Sequence, residues 1–243
     1  MKVDTHCHID LYENPLRIIE ECEKENITAI AMTNLPSHFE MGYPHVISCK
    51  KVRLSLGLHP LYSEKHVEEF PLFIKNISRT SYIGEIGLDF SIEGYKTKEI
   101  QINTFKRILQ LIGQQKKILS IHSRRAEKEV FNLLQEYKIE NAIFHWYTGS
   151  LSLIEKISEM GYCFSVNYAM TQSENGKKII NKIPIQNLLT ETDGPFVKRD
   201  NKIMKPTDIN VIINEIAKIK CLSNKDVENA ISNNFRILIN KIK

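Results

Sequence analysis

The chain has 243 residues, 42% hydrophobic and 26% charged, which excludes a largely disordered protein and leaves room for one large α/β domain or two small ones. A formal charge of +4 suits a polyanionic substrate without excluding a neutral one. Cys7, Cys22, Cys49, Cys163 and Cys221 form no Cys-x-x-Cys pair, so neither a zinc ribbon nor a disulfide framework is expected, and a reducing cytoplasm is the natural compartment.

Asp4, His6, His8 and Asp10 interrupt the first residues, so no signal peptide is expected there, and no apolar run approaches the length of a membrane span. The first strand is predicted over residues 2–6, and Asn14 opens a helix over 14–24. Strands at 28–32 and 52–56 follow, then a helix over 63–76 with Val67, Phe70 and Ile74 as its apolar face. After a strand at 82–86 comes the longest helix, 97–115, with Ile100, Ile102, Phe105, Ile108, Leu109 and Ile112 as its stripe. Strands at 118–121, 142–144, 162–166 and 188–191 alternate with helices at 125–137, 150–160 and 174–183. Gly161 and Pro184 act as helix stops. Helices at 207–218 and 224–239 close the chain, the last capped by Ser223.

Eight short apolar strands alternating with helices predict an α/β fold, a (β/α)8 TIM barrel occupying 1–243 as one domain. A doubly wound open sheet is the alternative, because periodicity does not reveal closure. No Gly-x-Gly-x-x-Gly or P-loop follows any strand, which removes the common nucleotide-binding signatures.

In a barrel the working residues gather at the carboxyl ends of the strands. His6 and His8 share one side of the first strand, because residues two apart point the same way. His59 follows the third strand, Glu85 lies on the fourth, His122 ends the fifth, His145 ends the sixth, and Glu191 and Asp193 follow the eighth. His38, His45 and His66 fall outside this pattern and read as surface residues. Four of these histidines with two of these carboxylates already exceed what one cation needs. They suit two divalent ions sharing a carboxylate, an arrangement fitted to hydrolysis and especially to phosphate esters.

His6-x-His8, Gly57-x-His59-Pro60, Gly84-Glu85-x-Gly87-Leu88-Asp89, Ile121-His122-Ser123-Arg124, His145 with Thr148-Gly149-Ser150, and Glu191-Thr192-Asp193-x-Pro195 together resemble the TatD-type metal-dependent deoxyribonucleases, which are amidohydrolase-like TIM barrels. The resemblance implies that His6, His8 and Asp193 hold one ion, that His122 and His145 hold the other, and that Glu85 bridges them. It implies that Asp193 orients or deprotonates the attacking water, that His59 lies near the scissile phosphate, and that Arg124 pairs with a phosphate oxygen. The implied cofactors are two divalent ions from among Zn, Mn, Mg, Fe and Ni, and the implied substrate is DNA, single-stranded or at an end.

The chain departs from the family after its sixth strand, where Trp146-Tyr147 stands in place of the usual Cys-Phe; these rings are candidates to stack on a base or to line the mouth. It departs again after Phe196, where a short basic segment with Lys198, Arg199, Lys202 and Lys205 replaces a longer substrate loop; its cations are candidates for backbone phosphates. This abbreviated form is similar to the TatD-like subunit of the multigene Qat anti-phage systems, which implies partner subunits. Two other readings stay open at the level of sequence. One is hydrolysis of a small amide, lactone or phosphoester; the other is a metal-binding, non-catalytic subunit of a defence complex.

Overall fold

The computed structural model describes residues 1–113 and 115–242. Eight strands run in chain order: β1 (Lys2–Cys7), β2 (Ile27–Ala31), β3 (Val52–Leu54), β4 (Tyr82–Gly87), β5 (Ile118–His122), β6 (Ala142–His145), β7 (Cys163–Val166) and β8 (Leu188–Thr190). Pairing is parallel within β1–β3 and within β4–β8. Two seams join these arcs. At the first, the Leu56 amide donates to Tyr82 O at 3.0 Å and the Gly84 amide donates to Leu56 O at 2.9 Å.

The second seam decides between barrel and open sheet. The Asp193 amide donates to His6 O at 3.0 Å, and the His8 amide donates to Gly194 O at 2.8 Å. Deeper in, Thr5 Oγ1 donates to Thr190 O at 3.0 Å, and Thr190 Oγ1 donates to Val3 O at 2.6 Å. The buried Asp4 carboxylate accepts from the Thr192 amide at 3.0 Å and from the Thr192 hydroxyl. Side chains thus stand in for ladder bonds where the last strand meets the first, and the sheet closes as a (β/α)8 barrel. The strand interiors are buried except at Arg53, exposed in β3, and Thr28, half-buried in β2, as expected of parallel strands covered on both faces.

The helices form the outer layer: α1 (Pro15–Lys24), α2 (Pro36–Val46), α3 (His66–Asn76), α4 (Lys98–Ile112), α5 (Glu127–Glu136), α6 (Leu151–Glu159), α7 (Tyr168–Gln172), α8 (Glu174–Lys182), α9 (Ile209–Lys220) and α10 (Asn224–Lys241). Helix α1 starts where expected: the Asn14 side chain accepts from the Arg17 amide at 3.1 Å, with Pro15 in the first turn. Ser223 caps α10 through the Asp226 amide at 3.1 Å. Gly113, at φ 46°, ends α4; the expected continuation to 115 crosses residue 114, outside the described residues.

Some expectations are corrected. Helix α2 was not predicted; it carries Pro44 in its interior and is held by burial of Phe39 and Val46. Helix α7 and the hairpin β9 (Lys198–Arg199) with β10 (Lys202–Ile203) also lie where only loop was expected. The inward face of α3 is not Val67, Phe70 and Ile74. Val67 is 82% exposed, whereas His66, Phe70 and Phe73 are buried. A polar residue takes the core position because both its ring nitrogens find partners.

Candidate metal centre

His6 and His8, two apart on and just beyond β1, present their Nε2 atoms 3.2 Å from each other. Glu85 reaches in from β4. Its Oε2 lies 3.5 Å from His6 Nε2 and 3.4 Å from His8 Nε2. Its Oε1 lies 2.6 Å from His122 Nδ1, 3.3 Å from His59 Nε2 and 3.5 Å from His145 Nε2. Asp193 Oδ1, at the head of the closing seam, is 3.7 Å from both His6 and His8 Nε2. Every expected ligand therefore converges on the barrel mouth. Three groups have donor atoms close enough to hold a cation: His6, His8 and Asp193; His6, Glu85 and His145; and His59, Glu85 and His122.

His122 and His145 fall in different groups of these three. Their ring centroids are 6.2 Å apart, while His145 stacks on His6 at 3.7 Å. They nevertheless meet on the same oxygen of Glu85. One carboxylate thus faces β1 with one oxygen and β5–β6 with the other.

Two glycines let the backbone make this shape. A Cβ on Gly57 would collide with the Thr33 carbonyl, and one on Gly87, at φ +135°, would collide with the His122 carbonyl. Any side chain at either position would push apart the segments that carry His59 and His122.

A surrounding shell orients the imidazoles. His145 Nδ1 faces both oxygens of Glu191 at 3.1 Å, so that ring donates there and keeps its Nε2 lone pair for the centre. Glu191 is itself held by Asn167 Nδ2 at 3.0 Å and by the Ser165 hydroxyl. His6 Nδ1 pairs with Ser120 Oγ at 2.8 Å. His122 Nε2 donates to Asp89 Oδ2 at 2.7 Å, while Asp89 Oδ1 accepts from the Ser91 amide at 2.8 Å. Asp89 therefore braces its own loop and His122 together.

His59 is built differently. Its Nδ1 accepts from the Leu61 amide at 3.2 Å, so its proton sits on Nε2, facing Glu85 as a donor. This suits a hydrogen bond to substrate better than ligation. His66, expected at the surface, is buried; its Nε2 donates to His59 O at 3.1 Å and its Nδ1 pairs with Thr104 Oγ1 at 3.0 Å.

The electrostatics follow from crowding. Burial pushes His6 and His145 down to about 3, leaving neutral rings with lone pairs. Burial acts to raise Glu85, but His59, His145 and His122 hold it well below the usual carboxylate range. Burial, then the charges of Glu191, Glu85 and Asp4, push Asp193 well above its usual value. Burial opposes charge on His122 too, yet its bonds to Asp89 and Glu85 raise it to about 9. The His8 Nδ1 atom is buried with no hydrogen-bond partner among the described residues. Two facing imidazole nitrogens with two carboxylates form a nitrogen–oxygen donor set suited to a first-row divalent cation.

The TatD-related DNase family model matches residues 3–240. The chain belongs to that family. It is 31% identical over 243 residues to an uncharacterized metal-dependent hydrolase of Methanocaldococcus jannaschii, covering 96% of this chain and 94% of that protein. It is 26% identical to human deoxyribonuclease TATDN3, covering 99% and 95%. In structure it resembles a TatD homologue of Escherichia coli, with a TM-score of 0.87 and 23% identity, over 98% and 97% of the two chains; this likeness supports the TIM barrel. The protein is accordingly a TatD-family metal-dependent hydrolase.

Around this TatD-type centre the remaining substrate candidates separate. Arg124 is exposed in the turn after β5, and Glu93, whose carboxyl is lowered chiefly by the Ser91 hydroxyl, also feels its charge. Lys198 and Arg199 are exposed on the hairpin. Lys205 is turned away: its ammonium lies 3.1 Å from Glu21 on α1, so an ion pair on the barrel wall occupies it. Tyr147 is also removed as a stacking candidate, because it is fully buried with its hydroxyl donating to Ser150 O at 2.8 Å. Trp146 stays partly exposed beside His145. The orienting residues Asp4, Ser120 and Glu191 had no predicted role. For Asp4 and Glu191 a signal existed: each stands two residues before a candidate ligand.

Proposed function

We propose that this chain, acting as one domain over 1–243, is a divalent-metal-dependent phosphodiesterase that cleaves DNA at an end. The observation that carries this reading is Glu85, whose two oxygens each face a separate set of imidazoles, as a carboxylate bridging two cations must. His6, His8 and Asp193 would hold one ion, and His122 and His145 the other, with Zn, Mn, Mg, Fe or Ni as candidates. When bound, such a pair acidifies water and stabilises charge on the attacking and leaving oxygens.

The chain's own residues supply the rest. Asp193, beside His6 and His8, would take the proton of the attacking water. The Nε2–H of His59 points at the same centre and donates to a phosphate oxygen. Arg124, Lys198 and Arg199 add positive charge around the mouth for the phosphate backbone.

Incubating purified protein with labelled single-stranded DNA and Mg²⁺, Mn²⁺ or Zn²⁺ tests this. Cleavage that disappears in His122→Ala supports it; no cleavage with any cation overturns it. A parallel panel of small phosphodiesters and amides separates this reading from hydrolysis at carbonyl carbon.

The resemblance to the Qat subunit, together with five free cysteines, supports a cytoplasmic role in anti-phage defence beside partner subunits. Among the described residues no helix is long and apolar enough to cross a membrane. Phage protection retained in Glu85→Gln would show that the role does not depend on hydrolysis.

A further inference from the structure

Three aromatic rings surround the centre, each set against a different imidazole. Phe196 packs on His8 with centroids 5.1 Å apart and planes at 79°. Tyr62 packs on His59 at 6.1 Å and 83°, and Trp146 packs on His145 at 6.3 Å and 83°. Phe196 is 58% exposed and Tyr62 38% exposed, so these two rings do not belong to the core, while Trp146 is half-buried with one side packed against it. Apolar rings left in water beside a polar centre mark a place where something apolar is to be covered. Trp146 is held at φ 38°, a left-handed conformation that a bulky residue rarely adopts, and such strain gathers at functional sites.

Charge accompanies the rings. The hairpin carrying Lys198, Arg199 and Lys202, all exposed, begins two residues after Phe196. Arg124 and Arg125 are exposed beyond His122. Aromatic platforms interleaved with cations are the pattern that binds single-stranded nucleic acid without sequence preference, because every base offers a π face and every linkage an anion.

We propose that Phe196, Tyr62 and Trp146 form a base-stacking collar, so that the polymer entering the centre is single-stranded or has unpaired terminal bases. Within a duplex the base faces are already stacked on one another, and only frayed or displaced nucleotides can offer them to these rings. The collar deepens the phosphodiesterase reading and rests on it for the identity of the reacting bond, but base binding is measurable without any reaction.

Trp146 is the chain's single tryptophan, so its fluorescence reports directly on the collar. In chelator, where no cleavage occurs, a single-stranded oligonucleotide should quench Trp146, whereas base-free polyphosphate of equal charge and a blunt duplex should not. Phe196→Ala should weaken oligonucleotide binding about tenfold and Phe196→Tyr should restore it. Circular dichroism confirms that both variants fold. Absence of quenching by the oligonucleotide, equal quenching by polyphosphate, or affinity indifferent to Phe196→Ala would each overturn the collar. Base-dependent binding without cleavage under any cation would leave the collar standing and overturn the phosphodiesterase reading alone.

Discussion

Glu191 touches no expected substrate position, yet it governs His145. Its oxygens take the Nδ1 proton, which commits Nε2 to the centre. Removing such an outer partner typically costs ten- to a hundredfold in cation affinity. Glu191→Gln is therefore expected to weaken metal binding by roughly that factor while the barrel stays folded, as metal-buffered titration and circular dichroism would show. Glu85→Gln removes the charge that both sets of imidazoles share, and should lower turnover roughly a thousandfold, read as phosphodiester cleavage at saturating cation. At this scale the convergence of the candidate ligands was legible, because polar residues at the ends of apolar strands have one place to go in a barrel. His66 was not legible: nothing local distinguishes a surface histidine from one whose two nitrogens are met by Thr104 and the His59 carbonyl.

Helices and strands show the same division. Neighbouring Trp146 and Tyr147 look interchangeable as rings, but the strand-to-loop geometry sends Tyr147 into contact with Phe144 and Phe164. Tyr147→Ala should thus cost about 3–5 kcal/mol of stability in denaturant unfolding, a loss expected of a core ring. A second element-level contact carries a pH signature. Glu23 on α1 accepts from the Lys51 amide at 2.5 Å and the Val52 amide at 3.2 Å, where β3 begins. Partial burial acts to raise its carboxyl, but these amides win and hold it below the ordinary value. Its folded pKa being depressed, the stabilisation is present above the unfolded pKa and is lost as pH falls through the folded one. Glu23→Gln should therefore be less stable than the parent at pH 7 by about 1 kcal/mol. Unfolding curves of the two proteins should converge as the pH drops below about 4.

At the scale of the molecule the candidate centre and the barrel closure are one construction. His6, His8 and Asp193 stand on the two segments that meet at the β8–β1 seam, and the Asp193 amide and His6 carbonyl are a bonded pair there. A cation held by those side chains ties the seam together in the folded state only. At a thousand times its dissociation constant it would add about 4 kcal/mol, which for a chain of this size raises the melting temperature by roughly 10 °C. Calorimetry with and without chelator measures this, and His8→Ala should abolish most of the difference. A melting temperature indifferent to every candidate cation would show that the seam holds no ion.

The sequence by itself determined the class of fold and which polar side chains gather at the barrel mouth. Eight apolar runs separated by amphipathic ones require parallel strands under helices, and motifs at strand ends travel with those strands. What only the tertiary structure decided is how side chains far apart in the chain divide the space between them. Asp4, Thr5, Thr190 and Thr192 turn an open possibility into a closed barrel. The Leu61 amide makes His59 a donor. Glu21 takes Lys205 away from the mouth, and two exposed rings and one half-buried ring are left around it. Each outcome depends on distances of a few ångströms between segments up to 188 residues apart, and local periodicity carries no record of such distances.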